Sequence, residues 1–120
     1  MTRPLVVKIT CGEEAAERCN QAFTVATTAL AAGTSVSVWL TGDATWLAVP
    51  GRAEAFTLPD ATPLADLLAA LLAGAEVTVC SQCAARRSLG IDDLRLGVRI
   101  AGSATYVEEI LRPDVQALVY

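Results

Sequence analysis

The residues best suited to chemistry in this chain are four cysteines, Cys11, Cys19, Cys80 and Cys83. Cys80 closes the apolar run Glu76-Val77-Thr78-Val79 and opens a segment of helical character. A thiol at a strand-to-helix junction meets free backbone N–H groups, which favour the thiolate and pull its pKa below the ordinary value of about 8.5. Cys83 follows three residues later, on the same helical face, and is placed to act as a resolving thiol. Arg86 and Arg87 come six and seven residues after Cys80, where they would add positive potential or hold an anionic substrate. Cys11 and Gly12 end another strand and would approach the same cleft as substrate-binding residues. Cys19 falls within the apolar stripe of a helix and reads as core.

Other chemistries are excluded by residue type. The chain has no histidine, so Cys–His dyads, Ser–His–Asp triads and histidine metal sites cannot be assembled within one chain. A zinc knuckle needs a second close cysteine pair, and Cys11 with Cys19 does not provide the spacing; neither metal nor cofactor is expected. No Gly-x-Gly-x-x-Gly or Walker lysine follows the first strand. A net charge of −4 argues against a phosphate-backbone binder, so no nucleic acid is expected. The reading also expects no signal peptide, no membrane span and a cytoplasmic, reducing setting in which the cysteines stay thiols.

These side chains must be positioned by a compact core. With 120 residues, 53% hydrophobic and 18% charged, the chain suits one domain over 1–120. Leu5–Thr10 reads as a mostly buried strand, and a helix follows from Glu13 to about Leu30 with Gly33 as its stop. Strands are expected at Val36–Leu40, Glu76–Cys80, Gly97–Ala101 and Val115–Tyr120. Helices are expected from Pro63 through Leu72, from Gln82 to Leu89 with Gly90 as the stop, and from a capping box Thr105-x-x-Glu108 to Pro113. Residues 42–60 read poorly, because Pro50, Gly51 and Pro59 interrupt any longer element. The alternation implies a three-layer α/β/α fold with a five-stranded, mostly parallel sheet, whose reactive groups gather at the carboxyl ends of the strands.

The layout, and above all Ala75-Glu76-Val77-Thr78-Val79-Cys80-Ser81-Gln82-Cys83-Ala84-Ala85-Arg86-Arg87, resembles the DsrE/DsrF-like family of small α/β proteins with the YchN-like fold. Gly97-Val98, Ala101-Gly102-Ser103 and the terminal strand are similar as well. Cys80 matches the position at which sulfur-relay members accept sulfane sulfur as a persulfide. The resemblance therefore implies an intracellular sulfur carrier or sulfurtransferase-like protein. Its partners would be sulfur donor and acceptor proteins or small sulfane-sulfur compounds. It also implies assembly into a homo-oligomer, a trimer or hexamer. Two other functions fit the residues: a non-catalytic oligomeric binding or assembly module with structural cysteines, and a Cys80–Cys83 dithiol redox protein.

Overall fold

The computed structural model describes residues 3–120. Five strands, β1 (Leu5–Ile9), β2 (Val36–Leu40), β3 (Glu76–Cys80), β4 (Val98–Ala101) and β5 (Gln116–Val119), form one sheet in the order β4-β3-β2-β1-β5. All four strand pairings are parallel, so the sheet is wholly rather than mostly parallel. The helices are α1 (Ala16–Ala31), α2 (Arg52–Ala55), α3 (Leu64–Gly74), α4 (Ser81–Arg86) and α5 (Ser103–Ile110).

Strand alternation divides the sheet into two unlike faces. Leu5, Val7, Ile9, Val36, Val38, Leu40, Val77, Val79 and Val98 point to one side and are buried with Phe23 and Ala26 of α1 and Leu64, Leu67, Leu68 and Leu71 of α3. Each fully buried leucine of this kind contributes about 1.5–3 kcal/mol. The opposite face carries Lys8, Ser37, Trp39, Glu76, Thr78, Cys80 and Arg99, and the helix that packs on it is α5. The Trp39 ring meets the Tyr106 ring edge-on at 5.3 Å between centroids.

Glu109, 7% exposed, anchors α5 to this polar face. Its carboxylate accepts hydrogen bonds from Ser37 Oγ at 2.6 Å and Trp39 Nε1 at 3.1 Å, and pairs with the Arg99 guanidinium. Arg99 also pairs with Glu76 at 2.9 Å and donates to Thr78 Oγ1 at 2.5 Å. A carboxylate taken out of water requires this density of donors.

The connections after β1, β2 and β3 all run over the core face, as the burial of Ala84 and Leu94 in the core shows for the third. The connection after β4 passes to the other face as α5 and returns to the far edge of the sheet as β5. The topological switch therefore falls between β3 and β4, where neighbouring strands send their chains to opposite sides. Crevices at such switch points are where ligands bind in open parallel sheets.

Several expected boundaries move. Residues 42–60 are ordered: a 3₁₀ run over Gly42–Ala48 leads to α2, and Ala44, Leu47, Ala48, Ala53 and Phe56 are buried. The first helix begins with a 3₁₀ turn, Glu13–Ala15, set off from α1 by the non-helical backbone of Ala15. Gly33, in the left-handed region, closes α1, and the Thr34 N–H bonds back to the Ala29 carbonyl. The same motif ends α4 at Ser88, left-handed at φ 56°, with the Leu89 N–H reaching Ala84; Gly90 is therefore not the stop. The Thr105–Glu108 capping box does not form either. Gly102 precedes the first turn of α5, so both residues lie inside the helix.

Glu109 yields a stability prediction with a definite sign. Burial opposes its charge, but Ser37, Trp39 and Arg99 outweigh that and hold its pKa below the ordinary carboxylate value. A lowered folded-state pKa adds stability that is complete above the unfolded value of about 4.3 and is lost as pH falls. Glu109→Gln is expected to cost about 1–3 kcal/mol in urea unfolding at pH 7, and the gap to wild type is expected to narrow at pH 3.

Candidate functional site

Cys80 is the last residue of β3, and its register partner is Ala101 of β4, so it stands on the switch point. Val77 and Val79 face the core, so the alternation sends the Cys80 side chain to the α5 face. Gly102 begins the crossover to α5 against the first residue of α4: a Cβ added there would lie 3.2 Å from Ser81 Oγ. The start of α5 is thus held beside the Cys80–Ser81 junction. Cys80 is partly exposed, whereas Cys11, Cys19 and Cys83 are buried.

Two influences act on the Cys80 thiol in opposite senses. Burial raises its pKa; the backbone N–H and thiol of Cys83, the backbone N–H of Gln82 and the charge of Lys8 lower it. The lowering wins. Cys80 is therefore a thiol poised toward its nucleophilic form. By contrast, burial pushes Cys19 up to about 12, helped by Cys11 and Glu14, and this thiol stays protonated.

Cys83 joins the site as the spacing implied, through a second anchor that spacing does not reveal. The Gly42 N–H donates to its Sγ at 3.3 Å. Gly42 has φ +53°, and a Cβ there would stand 2.6 Å from the Thr10 carbonyl oxygen. Glycine at this position lets the end of β2 close on the end of β1. Gly12 does the same from the other side, with its would-be Cβ 2.7 Å from the Asp43 carbonyl oxygen. Gly12 thus packs the strand ends together and does not line an opening beside Cys80.

The two arginines separate. Arg87 donates to the Cys83 carbonyl at 3.1 Å and pairs with Asp43 at 2.9 Å, bracing α4 against the segment after β2. Arg86 is exposed in the last turn of α4, at the end of the helix away from Cys80. Cys11 is not brought to Cys80. It continues the core-facing alternation of β1 after Ile9, is 1% exposed, and lies against Cys19 and Arg18 on the opposite side of the sheet. Lys8 and Tyr106 enter the neighbourhood instead, with the Lys8 ammonium 5.1 Å from the Tyr106 ring centroid. Sequence spacing did not single out either of them.

A cleft of about 500 Å³ lined by Ser37, Glu76, Arg99, Glu109 and Arg112 lies at the amino end of the sheet, away from Cys80. Among the described residues no group of three or more Cys, Asp or Glu side chains is arranged to hold a metal ion. No helix among them is long and apolar enough to cross a membrane.

Iodoacetamide at neutral pH is expected to label Cys80 first in the folded protein, with Cys11 and Cys19 unlabelled until denaturant is added; peptide mass spectrometry reads the order. Labelling of Cys19 at a rate matching Cys80 would contradict the burial pattern. Gly42→Ala is expected to cost about 1–3 kcal/mol in urea unfolding, from its left-handed backbone and the Thr10 clash.

The fold and sequence both have known counterparts. The E. coli YchN protein superposes with a TM-score of 0.80, covering 100% of each chain at 18% identity. A protein of unknown function from Methanobacterium thermoautotrophicum, MTH1491, superposes with a TM-score of 0.67 over 98% of this chain and 99% of its own, at 12% identity. In sequence, the uncharacterized protein MJ0760 of Methanocaldococcus jannaschii is 29% identical over 108 residues, 89% of this chain. The chain spans 39% of the length of that relative. The family model of the DsrE/DsrF-like family matches residues 5–115, and the chain belongs to the DsrE/DsrF-like family.

Proposed function

We propose that this protein is a sulfur carrier that accepts sulfane sulfur as a persulfide on Cys80. The observation that carries the proposal is the Cys80 thiol itself. It is partly exposed at the switch point and tuned toward the thiolate, while the other three thiols are buried. Family membership supports the same chemistry. The Cys80 thiolate attacks the outer sulfur of a donor persulfide, R–S–SH. The donor S–S bond breaks, a new S–S bond forms on Cys80, and R–S⁻ leaves. The acceptor thiolate then attacks the outer sulfur in turn, which regenerates the Cys80 thiolate with no net oxidation. The chemistry needs a nucleophilic, accessible thiol and neither histidine nor metal. Donor and acceptor are thiol-bearing proteins or small sulfane-sulfur compounds.

Dithiol exchange is a second reading, supported by the position of the Cys83 thiol beside Cys80. Attack of Cys83 on the inner sulfur of a Cys80 persulfide forms a Cys80–Cys83 disulfide and releases sulfide. The third reading, a non-catalytic assembly module, draws support from apolar residues on the α5 and β5 surface: Val107, Leu111 and Val119 are 45%, 74% and 64% exposed. The same surface supports assembly of the carrier into a homo-oligomer, in keeping with the trimer or hexamer that the family resemblance implies.

After treatment with polysulfide, the Cys80 peptide is expected to gain one sulfur atom that reductant removes, and Cys80→Ser is expected to abolish the gain with the fold intact. Mass spectrometry of the intact protein and its peptides reads both. Loading that survives Cys80→Ser would refute the carrier function. Loss of two hydrogens across Cys80 and Cys83 without sulfur gain would favour dithiol exchange.

A further inference from the structure

The Cys80 neighbourhood holds a cation that the ion pairs of the molecule leave unmatched. Lys8 lies between Val7 and Ile9, both buried in the core, so alternation turns its side chain to the α5 face. It shares a row across the sheet with Trp39 and Thr78. Cys80 is two residues beyond Thr78 and two strands across from Lys8, which by strand rise and spacing sets their Cα atoms about 12 Å apart. A four-carbon lysine stem covers about half of that distance, and the Lys8 charge is among the influences that lower the Cys80 pKa. The ammonium rests over the Tyr106 ring, which attracts a cation without neutralising it. Burial and then Glu109 push the Tyr106 pKa up, so the phenol offers no anion. Among the described residues Lys8 makes no ion pair.

The other charged groups on this face of the sheet and on α4 have partners or stand apart. From β4, Arg99 is held by Glu76 and by Glu109 of α5. From α4, Arg87 is held by Asp43, and Arg86 is exposed in the last turn. Cys83 faces Cys80 as a thiol, and the neighbouring residues of β2, Trp39 and Thr41, carry no charge. A half-buried ammonium with no carboxylate partner, on the same face of the sheet as a thiol that must become an anion, acts on that sulfur through space.

We infer that Lys8 is the positioning cation of the Cys80 site and makes it select small anionic sulfane-sulfur compounds, of the hydropolysulfide class, over neutral ones. The inference rests on the carrier function proposed above. A hydropolysulfide anion approaching Cys80 enters the field of the Lys8 charge, and the resulting persulfide anion stays within it. A neutral donor gains nothing from it.

Alkylation of Cys80 by anionic iodoacetate and neutral iodoacetamide tests the charge without assuming any sulfur chemistry. In Lys8→Met the iodoacetate-to-iodoacetamide rate ratio is expected to fall about threefold or more, as befits one charge at several ångströms in a surface dielectric. The pH at which Cys80 becomes reactive is expected to rise. Lys8→Arg is expected to restore both, and the wild-type ratio is expected to shrink at about 1 M salt, where screening acts over about 3 Å. A Lys8→Met protein that melts like wild type and shows the wild-type ratio and pH profile overturns the inference. So does a wild-type ratio indifferent to salt, which needs no variant. Polysulfide loading of the wild type separates the two claims. Loading with no Lys8 effect removes the role of Lys8 and leaves the carrier; a Lys8 effect on alkylation with no loading removes the carrier and leaves the cation.

Discussion

Glu109 sits under α5 with its carboxylate shared between Ser37, Trp39 and Arg99, and the polar face of the sheet is arranged around that ion. The core face needs no such device, because α1 and α3 cover it with leucine, alanine and phenylalanine. The other face is served by α5, a helix of eight residues. Too little apolar surface is available there to hold the helix by burial alone. The carboxylate ties α5 to β2 directly and to β3 and β4 through Arg99, and in doing so fixes Tyr106 over Trp39 and under Lys8.

The sparse cover has a consequence for Cys80. At a switch point the connections part and leave the carboxyl ends of the two strands open. Here the chain leaves β3 toward one face and β4 toward the other, and the thiol at that divergence stays partly exposed. Its environment mixes two opposed effects, partial desolvation and a set of N–H, thiol and ammonium groups. The balance lowers the thiol pKa. Cys11, beyond the end of β1 and two strands away, differs in parity and in standing off the switch point. It continues the core-facing set of β1, is shut in with Cys19, and has no comparable access.

The strand ends are locked by close backbone contact. Gly12 against the Asp43 carbonyl and Gly42 against the Thr10 carbonyl leave no space for a Cβ. The Gly42 N–H that results from this packing is the donor to Cys83 Sγ. Arg87 adds a brace from α4 to Asp43. The region around Cys83 is therefore held by the backbone at the carboxyl edge of the sheet, which suits a site that must keep two thiols in fixed relation.

Read alone, the chain already specified the alternation of strands and helices, the five strands, the parallel class of the sheet and the place of Cys80 at a strand's end. These follow from local properties: period-two and period-3.6 apolar patterns, the Gly33 stop and the position of a cysteine at a strand's end. Residues 42–60 were illegible because their 3₁₀ turns repeat too briefly to show a period and owe their order to burial of Leu47, Ala53 and Phe56 against the core. Ser88 ends α4 in a left-handed conformation that Gly90 promised but did not supply, since a Schellman turn is chosen by where the chain must reverse. Only the tertiary structure decided which groups share the site. A lone lysine in an apolar strand and a tyrosine some hundred residues later meet on one face, whereas an arginine pair read as one electrostatic unit separates, Arg87 held by Asp43 and Arg86 exposed in the last turn of α4. Parity along each strand and the crossing of α5 sort them, and neither is visible until the strands are placed side by side.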